Sequence, residues 1–360
     1  MLVSEREFKL EKYLNDGIES LVKDIIKTTV KNPKASMFFA KYANAAKKAE
    51  SRRHSFENNG EHIPSFLITS ITGKCNLNCA GCYNRANNAG NCDAEMTATQ
   101  WSSVFSQAEQ LGVAAVLLAG GEPMMRFDII EEAANHPNIL FPVFTNGTIL
   151  SESAIKLFTN HRNLIPVLSL EGDEAVTDKR RGQGTYAKLK STMEELSQRN
   201  LLFGASVTIS ADNLANTANG GFVSQLREKG CKAIVFVEYV PVDDSAPALN
   251  GAMRDVLAEK VTELRDNSGM IIISFPGDEK ESGGCLAAGR GFFHINANGS
   301  AEPCPFSPYS DTNVKTSTLR EALKSPLFVK LREGDFLLKE HTGGCTLFEQ
   351  SGFVRSILAK

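Results

Sequence analysis

The chain has 360 residues, 42% of them hydrophobic, and 39 Lys and Arg against 42 Asp and Glu give a formal net charge of −3. This length suits one large α/β domain with appendages, and the near-neutral balance gives no electrostatic reason to expect nucleic acid or an acidic membrane surface as the main partner. The stretch Met1-Leu2-Val3-Ser4-Glu5-Arg6-Glu7 is charged at once, and no later apolar run approaches the roughly 18 residues of a membrane span, so the expectation is a cytoplasmic protein with no membrane partner. Eight cysteines, six of them in two sets, read in a reducing compartment as metal ligands instead of a disulfide frame.

Residues 1–62 carry helical periodicity, in Phe8, Leu10, Tyr13, Leu14, Ile18, Leu21, Ile25 and Ile26 and again in Phe38, Phe39 and Tyr42, with Asn32-Pro33 as a break. Two readings compete for this helical extension: a helical cap or substrate-docking arm, or a helix pair packed on the outside of the barrel that follows, which is the favoured one. Asn58 to Pro64 reads as the linker into the main domain.

From residue 65 to about 240, short β-rich runs alternate with helical stretches, the pattern of βα units around a parallel sheet. Strands are expected at 65–71, 113–119, 141–145, 165–170, 204–209 and 233–240. Helices are expected at Thr97–Gln110, Ser151–Asn160 and Thr185–Arg199, with Ser151 and Thr185 as N-caps. Periodicity alone does not separate a barrel from a doubly wound sheet, but either puts its chemistry at the C-terminal strand ends.

The first of those ends carries Cys75-Asn76-Leu77-Asn78-Cys79-Ala80-Gly81-Cys82-Tyr83. Three close thiols suit an iron-sulfur cubane with one iron left open to a ligand, since four thiolates are the usual complement. Zinc competes, but its closed sites need a fourth ligand, and the next candidate, Cys92, lies in an Asn/Gly-rich loop.

The spacing C-x3-C-x2-C in this form resembles the radical S-adenosylmethionine (SAM) enzymes, and particularly their SPASM or twitch branch. Many members have an aromatic residue just before the third cysteine, where this chain has Gly81. The resemblance implies a partial (β/α)6 TIM-like barrel over residues 63–275. It also implies that Cys75, Cys79 and Cys82 hold a [4Fe-4S] cluster whose open iron chelates SAM. Ala119-Gly120-Gly121-Glu122-Pro123 matches the family's GGE motif, whose glycines are expected to admit the methionyl part of SAM. Thr145-Asn146-Gly147 supplies a hydroxyl and an amide for ribose or substrate oxygens, with a plain Asn-Gly turn as the competing reading. Leu168-Ser169-Leu170-Glu171-Gly172 and Asp178-Lys179-Arg180-Arg181-Gly182 look like the S-x-D-G and D-x-x-R-G stretches of SPASM-type members. That match puts Ser169 at the ribose and Arg181 at the cofactor carboxylate or a neighbouring acid, and it leaves open the partner of Glu171, which replaces the usual Asp. Thr208, Ser210 and Asn213 are weaker candidates for the adenosine end, and Cys231 reads as a core residue.

Asn250–Asn267 reads as an amphipathic helix and Ile271–Phe275 as the end of the barrel or the start of the next unit. Pro276-Gly277-Asp278 then opens a C-terminal domain, residues 276–360. Cys285, Gly299 and Cys304 match the SPASM opening C-x9-15-G-x4-C, with a hairpin turning at Asn298-Gly299, and a helix over Leu319–Leu331 leads to Gly343-Gly344-Cys345. The later cysteines of a full SPASM domain are missing, so a shortened, twitch-like set of Cys285, Cys304 and Cys345 is expected to hold a second iron-sulfur cluster with a non-cysteine ligand or an open iron. The resemblance implies reductive cleavage of SAM to a 5′-deoxyadenosyl radical that abstracts a substrate hydrogen, with flavodoxin or ferredoxin as the kind of electron donor. A peptide or protein side chain is the favoured substrate, and a small molecule of cofactor biosynthesis the alternative. The competing class is a non-catalytic iron-sulfur electron carrier or scaffold, which would not need Gly120–Glu122 or Ser169–Gly172.

Overall fold

The computed structural model describes residues 19–20, 22–27, 29–30, 32–88, 95–275, 283–338 and 345–359. Cys92, Pro276-Gly277-Asp278, Gly343-Gly344 and the first apolar positions of the N-terminal segment, Phe8 to Ile18 and Leu21, lie outside the described residues.

All six expected strands form: β1 Phe66–Ser70, β2 Ala115–Ala119, β3 Phe141–Thr145, β4 Leu164–Leu170, β5 Gly204–Ile209 and β6 Ala233–Glu238. A seventh, β7 Ile271–Phe275, pairs in parallel with β6, which assigns that run to the barrel. The C-terminal hairpin, β8 His294–Ile295 and β9 Ala301–Glu302, continues the same sheet, because β8 pairs in parallel with β1 and β9 antiparallel with β8. The order β7-β6-β5-β4-β3-β2-β1-β8-β9 makes a curled half-barrel.

Alternation along the strands shows which face is covered. In β2, Val116 and Leu118 are buried whereas Ala115, Leu117 and Ala119 are half-buried, and β6 repeats this with Ile234 and Phe236 against Ala233, Val235 and Val237. The buried set packs under the helices, around Trp101, Phe105, Ile130, Phe158 and Leu196. The half-buried set lines the concave face.

Ser151 caps helix Glu152–Asn160 as expected, through the Ala154 N–H, and Asn250 caps helix Gly251–Asn267. Thr185 does not cap: it is the first residue of helix Thr185–Gln198, and the cap position is Gly184 at φ 80°, a conformation that glycine takes without a Cβ clash. The expected helix over Leu319–Leu331 is two, Leu319–Leu323 and Pro326–Glu333. Pro326 has no N–H to donate, and it starts the second helix where none is needed.

Helix Pro33–Glu57 does not lie on the barrel's outer surface. Phe39 and Tyr42, with Val22 and Ile25, form a separate core with Leu140 and pack against Ala115, Ile165, Leu202 and Ile271. These last residues stand at the N-terminal ends of the strands, so the helix closes the bottom of the half-barrel. Its polar side chains finish the job: Tyr42 Oη donates to the Ala114 carbonyl at 2.7 Å, Arg52 to Glu109 O at 2.6 Å, Arg53 to Gly112 O, and Asn32 Nδ2 to Asn200 O at 2.6 Å. The carbonyls of Gly112 and Asn200, in the loops before β2 and β5, are among those that gain partners in this way.

Candidate active site

The three thiols of Cys75, Cys79 and Cys82 are free and half-buried in the loop leaving β1, at the C-terminal end of the sheet. That loop is sewn to the β2 exit by its own backbone: Gly121 N–H donates to Thr72 O at 2.7 Å and Glu122 N–H to Lys74 O at 2.8 Å. A Cβ at Gly120 would fall on the Thr72 carbonyl and one at Gly121 on the Lys74 carbonyl. The glycines are thus required by the close approach of the cysteine loop, a reason different from the expected one of admitting the methionyl group. On the loop's other side the Glu95 carboxylate accepts from Thr72 Oγ1 at 2.9 Å and Gly73 N–H at 2.8 Å, and Arg126 reaches it at 3.4 Å.

Glu122 is fully buried, and both of its oxygens are taken: Oε1 accepts from Thr145 Oγ1 at 2.6 Å and Met124 N–H at 3.0 Å, Oε2 from Asn146 N–H at 2.7 Å. Burial pushes its pKa up against these donors. Glu122 and Thr145 therefore lock the β2 and β3 exits together. Asn146 remains directed at the thiols, its Nδ2 2.9 Å from Asn76 Oδ1 and 3.9 Å from Cys75 Sγ. The Leu77 N–H is also 3.4 Å from Cys75 Sγ.

Helix Glu174–Arg181 supplies the positive charge. Glu171 Oε1 is shared by Arg180 Nη1 at 2.5 Å and Arg181 Nη2 at 2.6 Å, and Arg180 also donates to Thr208 Oγ1 at 3.0 Å. This answers the open question about Glu171: its extra methylene reaches two guanidiniums. Two cations against one carboxylate leave a net positive charge, and Glu171 Oε2 is buried with no hydrogen-bond partner, so this corner offers both charge and an unused acceptor to a ligand. The cations adjoin the thiols, because Arg180 O accepts from Ala80 N–H at 2.9 Å. Burial pushes the Cys79 thiol up in pKa while Arg181 and Arg180 oppose it; burial likewise raises Cys75.

Ser169 sits half-buried on β4, in register with Ser206 of β5 on the concave face. Asn213, by contrast, is committed to structure, its Nδ2 bonding Glu171 O at 3.0 Å and Thr208 O at 2.8 Å and its Oδ1 accepting the Ser210 N–H. Cys231 is a core residue, with burial pushing its pKa up to about 12. Sequence reasoning missed Glu95, Arg180 and the pair Tyr239 and Asp243. Only Arg180 carried a signal, as neighbour of Arg181.

The second thiol set also converges. Cys285, Cys304 and Cys345 are all buried and in no disulfide, Cys304 is in side-chain contact with Cys345, and its thiol is pushed well up by burial and by the other two cysteines. A buried chain joins this hairpin to the barrel. Ser70 Oγ lies 2.8 Å from His294 Nε2, His294 Nδ1 lies 2.7 Å from Glu302 Oε2, and Tyr83, which follows Cys82, bonds Ser70 and stacks edge-on with Phe306 at 5.2 Å. Among the described residues no three His, Cys, Asp or Glu side chains are close enough to hold a single metal ion. A polynuclear cluster spaces its thiolates more widely than one ion does, and the donor set is all sulfur, which fits iron and sulfide.

Residues 69–210 match the radical SAM superfamily. The chain is similar to that superfamily over this segment. Its relatives include the AdoMet-dependent heme synthase of Methanosarcina barkeri, 23% identical over 319 residues, which are 80% of this chain and 89% of that protein. They also include the sporulation killing factor maturation protein SkfB of Bacillus subtilis, 26% identical over 49% of this chain and 42% of that one. The fold is shared with the crystal structure of Streptococcus suis SuiB bound to precursor peptide SuiA, with a TM-score of 0.65, 18% identity and coverage of 85% of this chain and 77% of that one. Members of that superfamily use a [4Fe-4S] cluster and SAM as cofactors. No helix among the described residues of this chain is long and apolar enough to cross a membrane.

Proposed function

We propose that this chain is a radical SAM enzyme that cleaves SAM reductively and modifies a peptide or protein side chain, with Cys75, Cys79 and Cys82 as ligands of the cluster. The observation that carries the assignment is the three-thiol loop fixed by Gly121 and Glu122 to the β2 exit, beside two guanidiniums that share one carboxylate. When bound, the cluster and SAM supply a one-electron cleavage of the sulfonium and a radical that abstracts hydrogen. The chain's own residues do the positioning. Arg181, with Arg180, offers net positive charge to the SAM carboxylate, Asn146 orients at Cys75, Ser169 offers a hydroxyl on the concave face, and the helix Pro33–Glu57 keeps water from entering through the bottom of the barrel.

Cys285, Cys304 and Cys345 are assigned to an auxiliary iron-sulfur centre. A peptide substrate is supported by the SuiB likeness and the SkfB relative. The second reading, a tetrapyrrole-sized small molecule, is supported by the heme synthase, whose alignment spans most of both chains.

The test is uncoupled turnover: reconstituted protein reduced with dithionite in the presence of SAM should release 5′-deoxyadenosine. None from protein with a verified cluster would sink the enzyme reading and leave an electron carrier.

A further inference from the structure

Ser307 is completely buried, and its hydroxyl has no hydrogen-bond partner among the described residues. A buried unsatisfied hydroxyl loses its hydration without compensation, so it calls for an explanation. Its position supplies one. Cys304-Pro305-Phe306-Ser307 is a tight turn closed by Ser307 N–H to Cys304 O at 2.9 Å, and the two residues form an isolated antiparallel bridge. Directly opposed residues of an antiparallel pair project their side chains to the same face, with Cβ atoms about 4.5–5.5 Å apart. The Ser307 hydroxyl therefore stands on the same face of the turn as the Cys304 thiol, which contacts Cys345 and lies near Cys285.

We propose that Ser307 is the fourth ligand of the auxiliary centre, giving it three sulfur donors and one oxygen. This rests on the assignment of Cys285, Cys304 and Cys345 to an iron-sulfur centre. Ligation replaces the Ser307 O–H bond by an Fe–O bond and releases the proton to solvent, as each thiol does on ligation, and no electron is transferred. The turn is rigid enough for the role: Asn87 Nδ2 donates to Pro305 O at 2.8 Å, and Phe306 is held by Tyr83. An alkoxide is a harder donor than a thiolate and favours the more oxidised iron.

The experiment uses the full chain with Cys75→Ala, Cys79→Ala and Cys82→Ala, so that only the auxiliary centre remains, and adds Ser307→Ala or Ser307→Cys. Iron and sulfide content, the electron paramagnetic resonance (EPR) spectrum with and without imidazole, and the reduction potential are read. Ser307 in place should give a spectrum that imidazole leaves unchanged. Ser307→Ala should open one iron, which imidazole then shifts and mild oxidation removes, about one iron in four. Ser307→Cys should keep its iron and raise the potential. Iron content and imidazole response unaltered by Ser307→Ala, or nitrogen coupling in the unaltered centre, would overturn the ligand assignment alone. A shifted potential with no new imidazole binding would make Ser307 a hydrogen-bond donor and equally overturn it. No iron at all in the triple variant, folded, would remove the auxiliary centre and Ser307 with it.

Discussion

Tyr239, at the exit of β6, occupies the space that a side chain at Gly81 would fill: a Cβ at position 81 would lie 2.5 Å from Tyr239 Cε2 and 2.6 Å from its hydroxyl oxygen. Gly81 has φ 64°, and its N–H donates to Asp243 Oδ2 at 3.2 Å, while the Tyr239 hydroxyl bonds Asp243 Oδ1 at 3.1 Å. An aromatic ring from a distant strand thus stands beside the third cysteine, where the family often places one in the loop itself. Substituting Gly81→Ala should disturb the loop through both the positive φ and this contact. The expected outcome is a protein with near-normal far-ultraviolet circular dichroism and reduced iron in the first cluster; unchanged iron content would refute the packing argument.

Gly121→Ala should be more damaging than Gly120→Ala in iron retention: a Cβ at either position meets an unyielding backbone carbonyl, but the Lys74 carbonyl facing Gly121 adjoins Cys75, whereas the Thr72 carbonyl facing Gly120 lies three residues before it. Iron assays on the two purified variants compare them directly, and equal retention would count against the loop approach as the reason for these glycines.

Glu122→Gln removes the charge that three donors converge on and turns an amide N–H₂ toward one of them. A loss of about 1.5–3 kcal/mol in denaturant unfolding is expected. A change below about 0.5 kcal/mol would mean that the β2 and β3 exits are held otherwise.

Phe39→Ala should cost about 3–5 kcal/mol, the range for emptying a buried aromatic site, because Phe39 fills the bottom of the barrel and does not reach the thiol-bearing end. Binding of the proposed peptide substrate by the folded variant should be unchanged; weakened binding at undiminished stability would restore the docking-arm role.

Glu61, on the segment entering the barrel, is tied to Arg320 and Lys324, which lower its pKa to about 2. A carboxyl depressed in the folded state stabilises fully above its unfolded pKa and loses that contribution as pH falls from there towards 2. Glu61→Gln should therefore narrow the stability difference from the parent protein between pH 5 and pH 3, and because the pair is exposed, 0.5 M salt should shrink the difference at neutral pH. A gap that widens on acidification would contradict the linkage.

Much of the site was legible because its signals are local. Cys75, Cys79 and Cys82 share one loop, short β-rich apolar runs mark β1 to β6, and Gly120-Gly121 mark a close approach, though not what approaches. The family match spans residues 69–210, which include the cysteine loop and Gly120-Gly121. What the chain order could not reveal are contacts between distant segments: Glu95 bracing Thr72 and Tyr239 against Gly81. Nor does periodicity tell a helix on the barrel's outer surface from one across its end, since both need only an apolar stripe; burial of Phe39 and Tyr42 against the strand beginnings decided that. Ser307 makes the same point at the scale of one atom. Its sequence position is that of an ordinary turn residue, and only the packing that buries its hydroxyl beside Cys304 without a partner sets it apart.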